Sequence, residues 1–184
     1  MDENLLLSLQ AVDKSRLKSL IAGSAEFAGV AHSQDFERLI SMGVEPGTPI
    51  EWRIRFWMDE LKGYNLDQLS VLSKEKRRMT LFFKVSLTLP CERCAEPLTL
   101  DLDQYRHLIL TSREDEIEVL DSLDDFDAIL LEDSLNVLDL LEDEVLLSLP
   151  MDLMHTNCDA ITHTPPDEAF EQDVNPFASL KKML

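Results

Sequence analysis

The chain has 184 residues, 45% of them hydrophobic and 29% charged, the composition of a folded chain with a real core and not of a disordered one. Residues 1–93 carry 13 acids and 13 bases and residues 94–184 carry 23 acids and 4 bases, so the whole net charge of −19 belongs to the second half. Such a surface repels phosphate, which argues against a stand-alone DNA- or RNA-binding module.

In chain order, Asp13 is placed to cap a short helix with Leu17, Leu20 and Ile21 on its apolar side. A second helix is expected from Ser33, with Phe36, Leu39 and Ile40 at the 3–4 spacing, so the first 45 residues read as mostly helical. The cluster Glu45-Pro46-Gly47-Thr48-Pro49 stops helical structure, because proline lacks the donor and biases its predecessor away from the α region.

From Ile50 the period changes to two. Trp52, Ile54, Phe56 and Met58 alternate with Glu51, Arg53, Arg55 and Trp57, and Leu81, Phe83, Val85, Leu87 and Leu89 repeat the pattern. Leu98, Leu100 and Leu102 follow, with a further strand through His107 to Thr111 and a weaker one at Gln68–Leu72. Alternation of this density implies an antiparallel meander with one wet face. Lys74, Lys76, Arg77 and Arg78 form a basic cluster, read first as a solvated hairpin tip and alternatively as a contact site.

Residues 112–133 are acidic, with short strands expected at Ile117–Leu120 and Ala128–Leu131. The clearest helix follows at 136–149: Asn136 and Asp139 resemble a capping pair, Leu138, Leu141, Val145 and Leu149 make one stripe, and Pro150 ends it. Glu142, Asp143 and Glu144 ring this helix. Leu140 and Leu147, seven apart on the side away from the stripe, mark either a second packed side or a partner-facing ridge. Residues 159–174 read as a flexible linker, after which Asn175-Pro176-Phe177 starts a short helix with Phe177, Leu180 and Leu184 on one face. The fold expected is α+β. Residues 1–158 form one domain, divided into a helical lead-in at 1–49, the sheet at 50–111, and an acidic segment and helix at 112–158; residues 159–184 form a linker and C-terminal motif.

Five glycines, the last at Gly63, leave no phosphate-cradling loop and no nucleophile elbow. Apolar runs of three or four residues fall far short of the ~18 that span a bilayer, and Met1-Asp2-Glu3-Asn4 is acidic where a secretory signal is basic. The odd count of three cysteines does not make a disulfide framework, so a cytosolic location is expected. No arrangement of nucleophile and base stands out, and no catalytic residue is assigned. Cys91-Glu92-Arg93-Cys94 and His155-Thr156-Asn157-Cys158 are two pairs with the gap that lets both members face one metal, enough for a tetrahedral Cys₃His zinc site. The alternative is buried cytosolic thiols. A thioredoxin-like role fits worse, because that motif wants its cysteines at a helix N-terminus.

Three ordered blocks resemble the YceD family of bacterial proteins, also called large ribosomal RNA subunit accumulation proteins. They are Leu87–Leu98 with its Cys91-Glu92-Arg93-Cys94, Leu138–Pro150 with Met154, His155 and Cys158 behind it, and Asn175-Pro176-Phe177-Ala178-Ser179-Leu180. The resemblance implies a cytoplasmic, non-enzymatic factor for synthesis, processing or stability of 23S rRNA. The charge suggests that it acts through a ribosomal protein or assembly factor with a basic surface, on precursor large-subunit particles, without a membrane. Leu140, Leu147, Asn175, Pro176, Phe177 and Leu180 are the expected partner contacts. Two other readings stand beside this one. One is direct RNA contact through Lys74, Lys76, Arg77, Arg78 and the exposed aromatics of the sheet; the other is a small zinc-stabilised interaction protein unrelated to ribosomes.

Overall fold

A computed structural model of the chain, describing residues 9–60, 75–122, 127–131 and 133–160, is α+β as expected. Its elements are β1 (Val12–Asp13), α1 (Lys14–Ala22), β2 (Glu26–His32), a 3₁₀ turn (Ser33–Asp35), α2 (Glu37–Ser41), β3 (Pro49–Glu60), β4 (Glu75–Pro90), β5 (Pro97–Thr111), α3 (Glu114–Asp121), β6 (Asp127–Leu130), β7 (Ser134–Leu135) and α4 (Val137–Leu147). Five strands make one open sheet in the order β2-β3-β4-β5-β6. The first four are antiparallel neighbours, and β6 joins parallel to β5 after α3. β1 and β7 form a separate two-stranded ladder.

The period-2 pattern sets the two faces of the sheet. Ile50, Trp52, Ile54 and Phe56 of β3 and Leu81, Phe83, Val85, Leu87 and Leu89 of β4 are all buried on the inner face. Leu17 and Ile21 of α1, Leu39 of α2, and Leu138, Leu141 and Val145 of α4 complete the same core. Full burial of one such side chain stabilises by about 1.5–3 kcal/mol, so Phe56→Ala would open a serious cavity. Both predicted caps are in place. Asp13 accepts from Arg16 N at 2.8 Å, and Asn136 accepts from Leu138 N at 3.1 Å.

The acids of α4 do not simply ring it in water. Glu142 is buried and accepts from Arg38 N (2.7 Å), Leu39 N (3.1 Å) and Arg38 Nε (2.8 Å). It thereby satisfies the free amides at the start of α2, whose own N-cap, Phe36, has no side-chain acceptor. Asp143 holds Arg38 Nη1 at 2.6 Å, and buried Glu144 holds Arg106 Nε of β5 at 2.9 Å. The run Glu142-Asp143-Glu144 is therefore a clamp joining α4 to α2 and the sheet.

Three expectations are corrected. The lead-in is not all helical: Glu26–His32 is an edge strand, a poor β-former by composition that is enforced by its partner. Gly29 lies against the Trp52 indole, where an added Cβ would stand 3.0 Å from Cζ2. Ile117–Leu120 is helix, part of α3, whose first turn places Glu114, Asp115 and Glu116 at the positive end of its dipole. The basic cluster is not a solvated tip. Lys76 is 3% exposed, and its Nζ lies 2.9 Å from Glu116 Oε1, although the approach gives no well-angled hydrogen bond. Arg78 Nε lies 3.3 Å from Asp59. The strand expected at Gln68–Leu72, residue Lys74, residues 161–174, and Asn175, Pro176, Phe177 and Leu180 lie outside the described residues.

Candidate metal centre

Cys91 and Cys94 stand in the turn between β4 and β5, while His155 and Cys158 arrive on the segment after α4. Backbone pairing brings the two together: Glu92 N donates to Leu153 O at 2.8 Å, and His155 N points at Cys91 Sγ at 3.4 Å. Arg93 fastens the arrangement from outside by donating from Nη1 to Cys158 O at 3.1 Å. The four potential ligand atoms all lie within 4.8 Å of one another.

The separations suit a tetrahedral metal. Bonds of about 2.3 Å to sulfur and about 2.0–2.1 Å to nitrogen imply edges of about 3.8 Å between sulfurs and about 3.6 Å between sulfur and nitrogen. Cys91 Sγ to Cys158 Sγ is 3.7 Å, and Cys94 Sγ to His155 Nδ1 is 3.4 Å. His155 Nε2 lies 3.1 Å from Pro97 O. A carbonyl only accepts, so this contact puts the proton on Nε2 and leaves Nδ1 as the free lone pair, the usual outer contact of a metal-binding histidine.

The turn also shows how the chain manages without a glycine. Ala95 N donates to Cys91 O at 2.8 Å and Cys91 N donates to Glu96 O at 2.9 Å, a tight reversal that puts Ala95 at φ +60°. That is the left-handed region in which a side chain is disfavoured by about 1–2 kcal/mol.

The sulfurs differ in acidity. Burial opposes ionisation of Cys91, but backbone N–H groups of Cys94, His155 and Arg93 and the Cys94 side chain outweigh it, bringing the thiol from 9.0 down to about 5. Burial pushes Cys158 the other way, to about 11, helped by its contacts with Cys91 and Cys94 and by their negative charge. Three thiolates cannot crowd this volume without a cation among them, whereas a divalent ion allows all three to deprotonate. The cluster can hold a metal such as zinc.

The other expected site residues lie elsewhere. Leu140 is half-buried and packs on the core, and Leu147 is 74% exposed. Both line an open groove of about 690 Å³ shared with Arg106, Asp127 and Ile129. The sequence reading missed the use of Glu142 and Glu144 inside the fold, and the buried Lys76–Glu116 pair. An acid four residues after Leu138 and three before Val145, on the apolar stripe of its helix, was the available signal for Glu142. Among the described residues no helix is long and apolar enough to cross a membrane.

Residues 79–184 match the family model described as Large ribosomal RNA subunit accumulation protein YceD. That span includes Cys91, Cys94, His155 and Cys158, α4 and the C-terminal block. No curated protein and no solved structure matches the chain.

Proposed function

Since the chain belongs to the YceD family, we propose that it is a non-enzymatic cytoplasmic factor for accumulation of 23S rRNA, acting on precursor large subunits through a basic protein partner. The family's description names accumulation of large-subunit rRNA and no reaction. The observation that carries the finer reading is the charge division, with 23 acids against 4 bases after Arg93. Part of that charge is consumed internally by Glu116, Glu142 and Glu144. Enough is left on exposed Asp139, Asp133, Asp152 and Asp159 to draw a Lys/Arg-rich surface and to make the contact salt-sensitive.

In this reading Leu147 and Leu140 give the groove beside α4 an apolar anchor, and the block Asn175-Pro176-Phe177 with Leu180 supplies a second contact on a tether. Cys91, Cys94, His155 and Cys158 hold one zinc ion, which ties the β4–β5 turn to the segment after α4 and so fixes where that tether leaves the fold. The zinc has a structural role, because four protein ligands leave no open position for chemistry.

Capture from ribosome-depleted lysate, with and without RNase, tests the partner. A basic ribosomal or assembly protein that stays bound after RNase and leaves with salt is the expected result. Loss of every partner on RNase treatment overturns it. Elemental analysis of freshly purified, untagged protein is expected to give one zinc per chain; its absence ends the metal assignment without touching the rest.

A further inference from the structure

The inner face of the sheet is covered by α1, α2 and α4, whereas among the described residues only α3 lies over the outer face, at its β5–β6 end. The register places three residues of different strands side by side there: Arg53 of β3, Phe82 of β4 and Tyr105 of β5. The next row carries Arg55 and His107 on either side of Thr80, and Trp57 follows Arg55 along β3. Tyr105 is 59% exposed and its ring lies 4.6 Å from that of Phe82, tilted by 40°. The Arg55 guanidinium sits over the Trp57 ring at 5.5 Å. α3 closes one end of this face, through Glu116 on Lys76, and so sets its limit.

We propose that this face is a stacking platform for single-stranded RNA, with Phe82 and Tyr105 receiving bases and Arg53 and Arg55 tracking the backbone. The proposal rests on the reading that the protein serves large-subunit rRNA, but it uses the side of the sheet away from α4 and its groove. Aromatic rings on adjacent central strands flanked by cations match the chemistry of unpaired nucleic acid, whose bases stack and whose phosphates need positive partners. The cations are available: Arg53 meets Glu26 at 3.7 Å and Lys84 meets Asp103 at 3.9 Å, with every side chain about half exposed or more. Such loose pairs contribute little and yield readily to a phosphate. Glu26, Glu51, Asp101 and Asp103 lie on this same face and offset part of its positive charge, whereas the acids beyond the core are screened from the platform, because the Debye length in physiological salt is about 8 Å. The charge therefore argues against the chain as a whole gripping RNA, while the local constellation on this face argues for it.

The test is fluorescence anisotropy of a labelled 12-nucleotide single-stranded RNA with the full chain at physiological salt, where the distant acids are screened. Binding is expected, at least roughly fivefold weaker in Tyr105→Ala, retained in Tyr105→Phe, and lost in Arg53→Ala/Arg55→Ala. Tyr105 and both arginines are exposed, so these variants keep the core, which a melting curve verifies. No binding, binding indifferent to Tyr105→Ala, or equal binding to duplex RNA overturns the platform. So does a Tyr105→Ala variant that keeps RNA but loses the basic protein captured from RNase-treated lysate, since the face would then be a protein contact. Because the oligonucleotide assay needs no partner protein, its failure leaves the acidic-surface reading standing, and failure of the lysate capture leaves the platform standing.

Discussion

The two ends of the β4–β5 hairpin are both closed by polar chemistry, and the difference between them is instructive. At the turn end Cys91 and Cys94 meet His155 and Cys158. At the open end buried Lys76 meets Glu116, which also accepts from the Thr111 hydroxyl at 2.5 Å. The ladder from Arg77 to Pro90 separates them, about 45 Å at about 3.3 Å per residue. The ion pair brings both charges within the chain and depends on pH. The sulfur cluster brings donors only and can take a cation from solution. One end is thus self-sufficient and the other conditional, and perturbations at the two ends should add, because they share no neighbour.

The largest effect should come from breaking the self-sufficient end. Lys76→Met leaves Glu116 buried beside Thr111 without its ammonium, and removing one member of a buried pair costs about 3–5 kcal/mol. A single short helix covers this pair, so the lower end, about 3 kcal/mol, is expected, with Lys76→Met/Glu116→Leu recovering much of it. Urea denaturation measures both; an unchanged midpoint in the single variant would show that the pair is not buried.

Removing the cation comes next. A ligand at 100 times its Kd contributes about 2.7 kcal/mol, or about 5–10 °C of Tm at this chain length. Chelation should lower Tm by that much in the parent and by the same amount in Lys76→Met. A chelator effect that vanishes in the Lys76 variant would mean the two ends are one cooperative device.

The sequence revealed one end and hid the other for a physical reason. Cysteine and histidine are scarce, so two pairs with a two-residue gap stand out, and all four residues converge as expected. Lysine and glutamate are common, and the partner choice of Lys76 depends on α3 folding back across β5, which no local pattern announces. Ile117–Leu120 read as a strand because four residues suffice for either period. The antiparallel strands β3, β4 and β5 were legible because each buries one face, whereas β2 is held by register and the Trp52 contact more than by its own residues.

pH separates the carboxylates that serve the fold. Burial would raise the Glu116 carboxyl, but the Thr111 hydroxyl, Lys76 and Arg113 outweigh it and hold it below its ordinary 4.5. An acid depressed in the folded state adds stability that is full above the unfolded value and is lost as pH falls through the folded value. Glu144 has the opposite sign. Burial, with Asp127 and Asp143 nearby, outweighs Arg106 and raises it, so its ionisation costs stability that returns on acidification. Relative to the parent, Glu116→Gln should lose stability at pH 7 with the deficit shrinking below pH 4.5, while Glu144→Gln should compare best at neutral pH and lose that advantage in acid. Parallel melting curves for the two variants from pH 3 to 7 would break the distinction.

The smallest effect tests the turn that carries Cys91 and Cys94. Ala95 occupies the left-handed region at φ +60°, between the amides that close the reversal, so the chain holds an unfavourable conformation in order to aim two sulfurs. Ala95→Gly removes the Cβ that makes this region costly, by about 1–2 kcal/mol, but gives the unfolded chain more freedom, worth about 0.5–1 kcal/mol. The net expectation is a gain of about 0.5–1 kcal/mol. The gain should be full with zinc, where the ligands hold residue 95 in that conformation, and equal or smaller in chelator, where the turn is free to relax out of it. Melting curves of parent and variant with and without zinc decide it. A loss of stability under both conditions would mean that the Ala95 methyl contributes packing that outweighs its strain, and that the turn is held by contacts and not by its ligands.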